Sequence, residues 1–343
     1  MDLLKELAGA KRIGISGHIR PDGDCVGSCL ALKKYIENAM PEAEVKLYIE
    51  QPPVVFSFLY GYDTIDSTYG GISKKDSKIC TAETFEAKTD DETEASKNLE
   101  KFDVYIALDS GALDRLGNAI DYFKGADKTI CIDHHESNVG YADINEIDGD
   151  ASSTCEMLTR YMLKEYMDVD IAKAIYTGIV HDTGVFQYSC MKKATFAVVG
   201  ELVEYGFDSQ KIINDTFYEK TYVQNQILGR ALLESIQFMD GKCIASCVDR
   251  RMMEFYGAKT SDFEGIVNQL LLTKDVEVAI FMYEIGTLEY KVSMRSKGKI
   301  NLAEIALIFG GGGHFRAAGC NMVGTYRDVL NNLSKEIEKR LNM

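Results

Sequence analysis

Apolar positions in the first 190 residues alternate between short runs of β-forming residues and stretches with helical spacing, the pattern of an α/β chain. Residues 3–8 read as a short amphipathic helix, 12–16 as a buried strand, 25–38 as a helix and 44–49 as an alternating strand. Two more apolar runs, 104–108 and 129–132, have strand length, and helical spacing returns at 153–167, 171–181, 194–205 and 222–236. From Lys242 the pattern starts again. Strands are predicted at 243–248, 276–285 and 288–294, the last two joined by a turn at Gly286, with helices at 263–272, 302–308 and 326–341. The expectation is an α/β chain in two parts: a parallel-sheet N-terminal domain with flanking helices at 1–205 and a smaller α/β C-terminal domain at 241–343, with a helical connector at 206–240 between them. Residues 70–100 are rich in Ser, Thr, Lys, Asp and Glu, and read as a surface insertion, partly helical near 94–100, with no part in chemistry.

Three of the predicted strands end on chemistry. The first runs into His18-Ile-Arg-Pro-Asp-Gly-Asp-Cys-Val-Gly-Ser28, the third into Asp109-Ser-Gly111, and the fourth into Asp133-His-His135. Ligands of open α/β sheets bind at the carboxyl ends of the strands. His18, Asp22 and Asp24 within seven residues offer nitrogen and oxygen donors to a divalent metal. A plain strand-to-helix turn capped by Asp24 is the competing reading. Histidine placement favours the metal: of five histidines, His18, His134, His135 and His181 each have an Asp within four residues, and only His314 does not.

Composition narrows the class. Hydrophobic content of 46% and charged content of 27% suit a globular protein, and no apolar run approaches the roughly 20 residues of a membrane span. The N-terminus lacks the apolar core of a signal peptide, so a cytoplasmic location and no membrane partner are expected. Nine cysteines without a Cys-x-x-Cys pair read as reduced and mostly buried. A formal charge of -15 argues against long duplex nucleic acid as partner but leaves room for a small anion at one basic site. Such a site is offered by residues 291–316, where five Lys or Arg face one acid. The four glycines of Phe309-Gly-Gly-Gly-Gly-His-Phe-Arg-Ala-Ala-Gly319 would let the backbone approach a phosphate, or else form a hinge.

At this point the sequence resembles the DHH phosphoesterases. His18 to Ser28 matches the pattern His-x-x-Pro-Asp-x-Asp-x-x-Gly-Ser at every fixed position, and Asp109-Ser-Gly111, Asp133-His-His-Glu-Ser-Asn138 and Asp182-Thr-Gly184 are similar to the next three motifs. The glycine run, with Met294-Arg-Ser296, resembles the DHHA1 domain. The resemblance implies two divalent cations, Mn²⁺ first with Mg²⁺, Co²⁺ or Zn²⁺ as substitutes, spaced by ~3.5–4 Å as in two-metal sites. His18, Asp22 and Asp109 would hold one, and Asp24, Asp109, His134 and Asp182 the other. His135 would face the phosphate or leaving oxygen, with Asp133 orienting an imidazole or simply hydrogen bonding in the interior.

His181 has either an outer role there or a helix-end role. Arg115 either points to the site or makes a surface ion pair. Arg295 and His314, with Ser296, Gly312, Gly313 and Arg316 behind them, would bind the nucleotide, whereas Lys297 and Lys299 could equally be a solvated strand edge. The implied substrate is a short RNA or linear dinucleotide cut to 5′-mononucleotides, and also 3′-phosphoadenosine 5′-phosphate, as in the nano-RNase branch. The alternative is a cyclic-di-AMP phosphodiesterase. A homodimer is compatible with the sequence.

Overall fold

The computed structural model describes residues 1–70, 100–188 and 190–341. The expected insertion lies outside the described residues except at its ends. Its last residue, Glu100, is tied down: it accepts from Lys46 Nζ (2.6 Å) and Tyr48 Oη (2.7 Å) and pairs with Arg12.

Contacts divide the chain into two compact units, Met1–Glu219 and Lys220–Met343, so the division falls inside the stretch expected as a connector. In the first unit the strands are β1 (Arg12–Ser16), β2 (Glu44–Tyr48), β3 (Val104–Leu108), β4 (Lys128–Asp133) and β5 (Ile144–Ile147). They form one all-parallel sheet in the order β2-β1-β3-β4-β5. The short, half-exposed β5 carries too little apolar signal to be read from sequence. The helices are α1 (Leu3–Glu6), α2 (Gly23–Ala39), α3 (Ile120–Gly125), α4 (Thr154–Leu158), α5 (Val169–Asp182), α6 (Lys193–Val203) and α7 (Ser209–Ile213), the last running into a π-helical turn at Asn214–Tyr218.

Both faces of the sheet are covered, as a parallel sheet requires. One face packs Ile13, Ile15, Ile106 and Ile132 against α2 and α5, and the other rests on an aromatic cluster in which Tyr48 and Tyr122 stack at 4.7 Å. Glycines let α2 and α5 touch: a Cβ on Gly27 would stand 2.5 Å from the Ala174 carbonyl oxygen, and one on Gly178 would stand 2.8 Å from Asp24 Oδ1. That close crossing brings the first turn of α2 to the last turn of α5.

The helix predicted at 153–167 stops at Leu158. Thr159 Oγ1 donates to the Glu156 carbonyl (2.7 Å), and the Leu163 N–H goes to Tyr35 Oη (2.9 Å) instead of continuing a helix.

The second unit opens with α8 (Tyr222–Leu233), β6 (Ile236–Phe238), β7 (Cys243–Val248), α9 (Arg250–Tyr256) and α10 (Ile266–Leu271). It continues with β8 (Val278–Gly286), β9 (Glu289–Ser296), α11 (Leu302–Ile308), β10 (Gly312–His314), β11 (Ala317–Val323) and α12 (Tyr326–Leu341). Its sheet is mixed, in the order β10-β11-β9-β8-β7-β6, with only β7–β8 parallel. Among the described residues, no helix is long and apolar enough to cross a membrane.

Candidate metal centre and nucleotide face

His18 lies just beyond β1, and its Nδ1 is 2.8 Å from the Ile19 carbonyl. A carbonyl can only accept, so Nδ1 carries the proton and Nε2 faces the carboxylates, 3.4 Å from Asp109 Oδ2 and 3.7 Å from Asp22 Oδ2. Burial works to lower the His18 pKa, but hydrogen bonds to Asp109 and Asp22 outweigh it and push it up to about 12. Arg115 Nη2 lies 3.3 Å from the same Nδ1, a close approach of two donors and so no hydrogen bond, with the guanidinium pointing at the site.

The cap of α2 is Asp22, whose Oδ1 accepts from the N–H groups of Asp24 and Cys25 at 3.1 Å. Capping by Asp24, the competing reading of the sequence, is not what the fold uses. Asp24 is buried in the first turn, and its two oxygens accept from Thr154 N–H (2.7 Å) and Cys155 N–H (2.9 Å) at the start of α4.

Asp109 follows β3 in a left-handed conformation (φ 51°), which Asp tolerates better than most residues. Its carboxylate lies between two imidazoles, since His134 Nε2 is 3.5 Å from Oδ1 while His18 approaches Oδ2. Thr154 Oγ1 donates to Oδ1 as well (3.3 Å). His134 Nε2 also lies 3.1 Å from Asp182 Oδ2, at the last residue of α5. The six predicted ligands therefore converge: His18, Asp22 and Asp109 on one side, Asp24, His134 and Asp182 on the other, with Asp109 between.

The donor set fits divalent cations. Burial first, then the neighbouring carboxylates, push the pKa of Asp24 and that of Asp182 up. Like charges held this close oppose one another's ionisation, and a bound cation removes the opposition. Donor atoms of Asp24, His134 and Asp182 lie within 4.8 Å of one another, as a shared ion requires.

A ring nitrogen of His135 also lies within 4.8 Å of donor atoms of Asp109 and His134, but its strongest bond is to another carboxylate. Its Nδ1–H donates to Asp133 Oδ1 (2.7 Å), leaving Nε2 free on a ring that is 43% exposed. The Asp133 bond, together with its charge, raises the His135 pKa against the effect of burial. Asp133 is fully buried; burial works to raise its pKa, but the bonds from His135 and from Asn138 Nδ2 (2.7 Å) hold it low.

His181 packs beside Gly23, between Asp22 and Asp24, with its ring nitrogen engaged away from the carboxylates. Its Nε2 pairs with Thr216 Oγ1 (2.8 Å), its ring packs edge-on against Phe56 and Phe217, and burial lowers its pKa to about 4. His181 does sit in the last turn of α5, and burial works against the charged form there.

Sequence reasoning gave no role to Asn138, Thr154 or Cys25. Asn138 was visible inside the third motif, and Thr154 within Ser153-Thr-Cys-Glu156, the capping-box spacing.

In the second unit, strand register aligns Arg295 with Ala317 and Ala317 with His314, so Arg295 and His314 share one face of the sheet. The other face of β9, with Tyr290, Val292 and Met294, is buried. His314 and Arg316 are exposed and Arg295 is half-buried, with Nη1 donating to the Met294 carbonyl. Ser296 is buried, its Oγ donating to the Ile300 carbonyl (3.3 Å) and its N–H to that of Arg316 (3.0 Å).

The glycine run divides between a turn at Gly310, leading through Gly311, and a strand. Gly312 and Gly313 open the edge strand β10, and a Cβ on Gly313 would stand 2.5 Å from the Ala317 carbonyl oxygen. Glycine at 313, and at 311 just before the strand, lets the chain lie so close to β11, whereas Gly312 has open space for a Cβ.

A fold of this kind with a carboxylate–imidazole cluster at its strand ends defines a class, and family models agree. The DHH family, N-terminal domain, matches residues 12–179 and the DHHA1 domain matches residues 240–343. The chain belongs to the DHH family of phosphoester hydrolases, in the branch that carries a DHHA1 domain.

Among its relatives is the bifunctional oligoribonuclease and PAP phosphatase NrnA of Bacillus subtilis (strain 168), 26% identical over 326 residues, covering 94% of this chain and 92% of the relative. The protein of the same name from Thermus thermophilus is 26% identical over 351 residues, covering 98% of this chain and 93% of the relative. Of solved structures, an exopolyphosphatase-related protein from Bacteroides fragilis superposes with TM-score 0.83 at 24% identity, covering 98% of this chain and 94% of that one.

Proposed function

We propose that this protein hydrolyses short oligoribonucleotides and linear dinucleotides to 5′-mononucleotides, and removes a phosphate from 3′-phosphoadenosine 5′-phosphate. The observation that carries the reading is the convergence of His18, Asp22, Asp24, Asp109, His134 and Asp182 at the strand ends of the first unit. The names of relatives matched over more than nine-tenths of their length support the substrate class.

His18, Asp22 and Asp109 would hold one divalent cation, and Asp24, Asp109, His134 and Asp182 a second; taken by themselves, these nitrogen and oxygen donors suit Mn²⁺ best. When bound, the cations supply positive charge to the phosphoryl group and make an attacking water more acidic. The protein's own residues do the rest. Asp109, between the two imidazoles, is the shared ligand. His135, oriented by Asp133 and Asn138, presents Nε2 to solvent as hydrogen-bond donor and acid toward the leaving oxygen. Arg115 adds a fixed cation beside His18, and Arg295, His314 and Arg316 bind the nucleotide phosphate in the second unit.

The test incubates pure protein and Mn²⁺ with pApA, a five-nucleotide RNA, 3′-phosphoadenosine 5′-phosphate and cyclic-di-AMP. Turnover of the first three well above that of the cyclic compound is expected. Preference for the cyclic compound, or no turnover of any, would overturn the reading.

A further inference from the structure

Cys25 is the third residue of α2 and is fully buried. Its Sγ, a nitrogen of His18 and an oxygen of Asp109 all lie within 4.8 Å of one another, and among the described residues no other thiol belongs to such a group. The thiol reaches this place because residue 17 is glycine: a Cβ there would stand 2.2 Å from Sγ. Cys29, one turn along the same helix, and Cys155, whose Sγ faces the Asp24 carbonyl oxygen at 3.7 Å, lie in the same region but outside the group. The thiol faces the His18 carbonyl oxygen at 3.8 Å, the contact that a bond to an ion would replace.

We propose that Cys25 is a sulfur donor to the cation held by His18, Asp22 and Asp109, and that this position therefore selects a thiophilic divalent ion such as Zn²⁺ or Co²⁺. The position of Asp24, His134 and Asp182, with only nitrogen and oxygen donors, keeps its preference for Mn²⁺ or Mg²⁺. On ligation the Sγ–H bond breaks, the sulfur lone pair forms the bond to the ion and the proton leaves to solvent, one per ion. The inference rests on the two-cation reading and adds to it that the two positions are chemically unequal.

Cobalt titration separates the possibilities without any assay of turnover. Bound Co²⁺ gives ligand-field absorption with any donors, whereas a Co–S bond adds charge-transfer absorption in the near ultraviolet. Wild type and Cys29→Ala should show both features, and Cys25→Ala the ligand-field bands alone. Competition should show Zn²⁺ binding weakened about tenfold or more in Cys25→Ala, with Mn²⁺ at the other position changed by less than about threefold. Wild-type protein with ligand-field bands but no charge-transfer band overturns the sulfur donor and leaves the two cations in place. No cobalt absorption at all overturns the two-cation reading and this inference with it. The wild-type spectrum decides even if Cys25→Ala fails to fold.

Discussion

In the first unit half of the residues proposed for chemistry, His18, Asp24, Asp109 and Asp133, are buried where parallel strands end, while Asp22 and His135 open to solvent; in the second, most of those proposed for binding stand exposed on a strand face. His18, Asp24, Asp109 and Asp133 are all less than a tenth exposed, yet each has a polar partner. Among the described residues, the buried polar side chains of the second unit are Ser246, Glu277 and Ser296. Burial fixes geometry and perturbs pKa values, which catalysis needs. Exposure leaves charges hydrated and adaptable, which suits binding of substrates that differ in length. Chemistry and recognition should therefore fail separately when each unit is altered.

The largest effect belongs to the proposed shared ligand. Asp109→Ala should lower kcat at least about a thousandfold, equivalent to ~4 kcal/mol, and stripping divalent ions with a chelator should do the same to wild type until Mn²⁺ is returned. His135→Gln should lower kcat by about 10²–10⁴-fold with metal content unchanged, measured by elemental analysis beside steady-state kinetics. In the second unit, Arg295→Ala should raise KM about tenfold with kcat nearly kept, by loss of a charged hydrogen bond. A kcat loss there, or an unchanged KM, would break the division.

The smallest effect is structural. The Glu100 carboxyl is held below its ordinary range: burial works against this, but Lys46 and Tyr48 outweigh it. Because the folded value is depressed, its contribution is complete above the ordinary carboxylate range and is lost as pH falls through the lowered value. Urea denaturation should show Glu100→Gln about 1 kcal/mol less stable than wild type near neutrality, the gap closing in acid.

Strand ends in the first unit were legible because each delivers its polar residues after an uninterrupted apolar run, as at Val104–Leu108 before Asp109. The second sheet was harder. Strand β11 reads Ala-Ala-Gly-Cys-Asn-Met-Val, with alternating burial but little of the bulk that marks a strand in sequence. The close approach of Gly311 and Gly313 to β11 was not legible, because sequence shows what glycine permits, not which neighbour makes use of it. Asp24 taught the same lesson: it is a capping residue type, but the backbone groups it serves begin 130 positions away.

That long-range pairing ties side chain to main chain. A helix of five residues is too short to persist by itself, and the first two amides of α4 lean on the carboxylate that is also proposed to hold a cation. Filling or emptying the centre must then be felt as tightening or loosening of the backbone at Thr154 and Cys155. Occupancy becomes readable as the rate at which two amide protons trade with solvent.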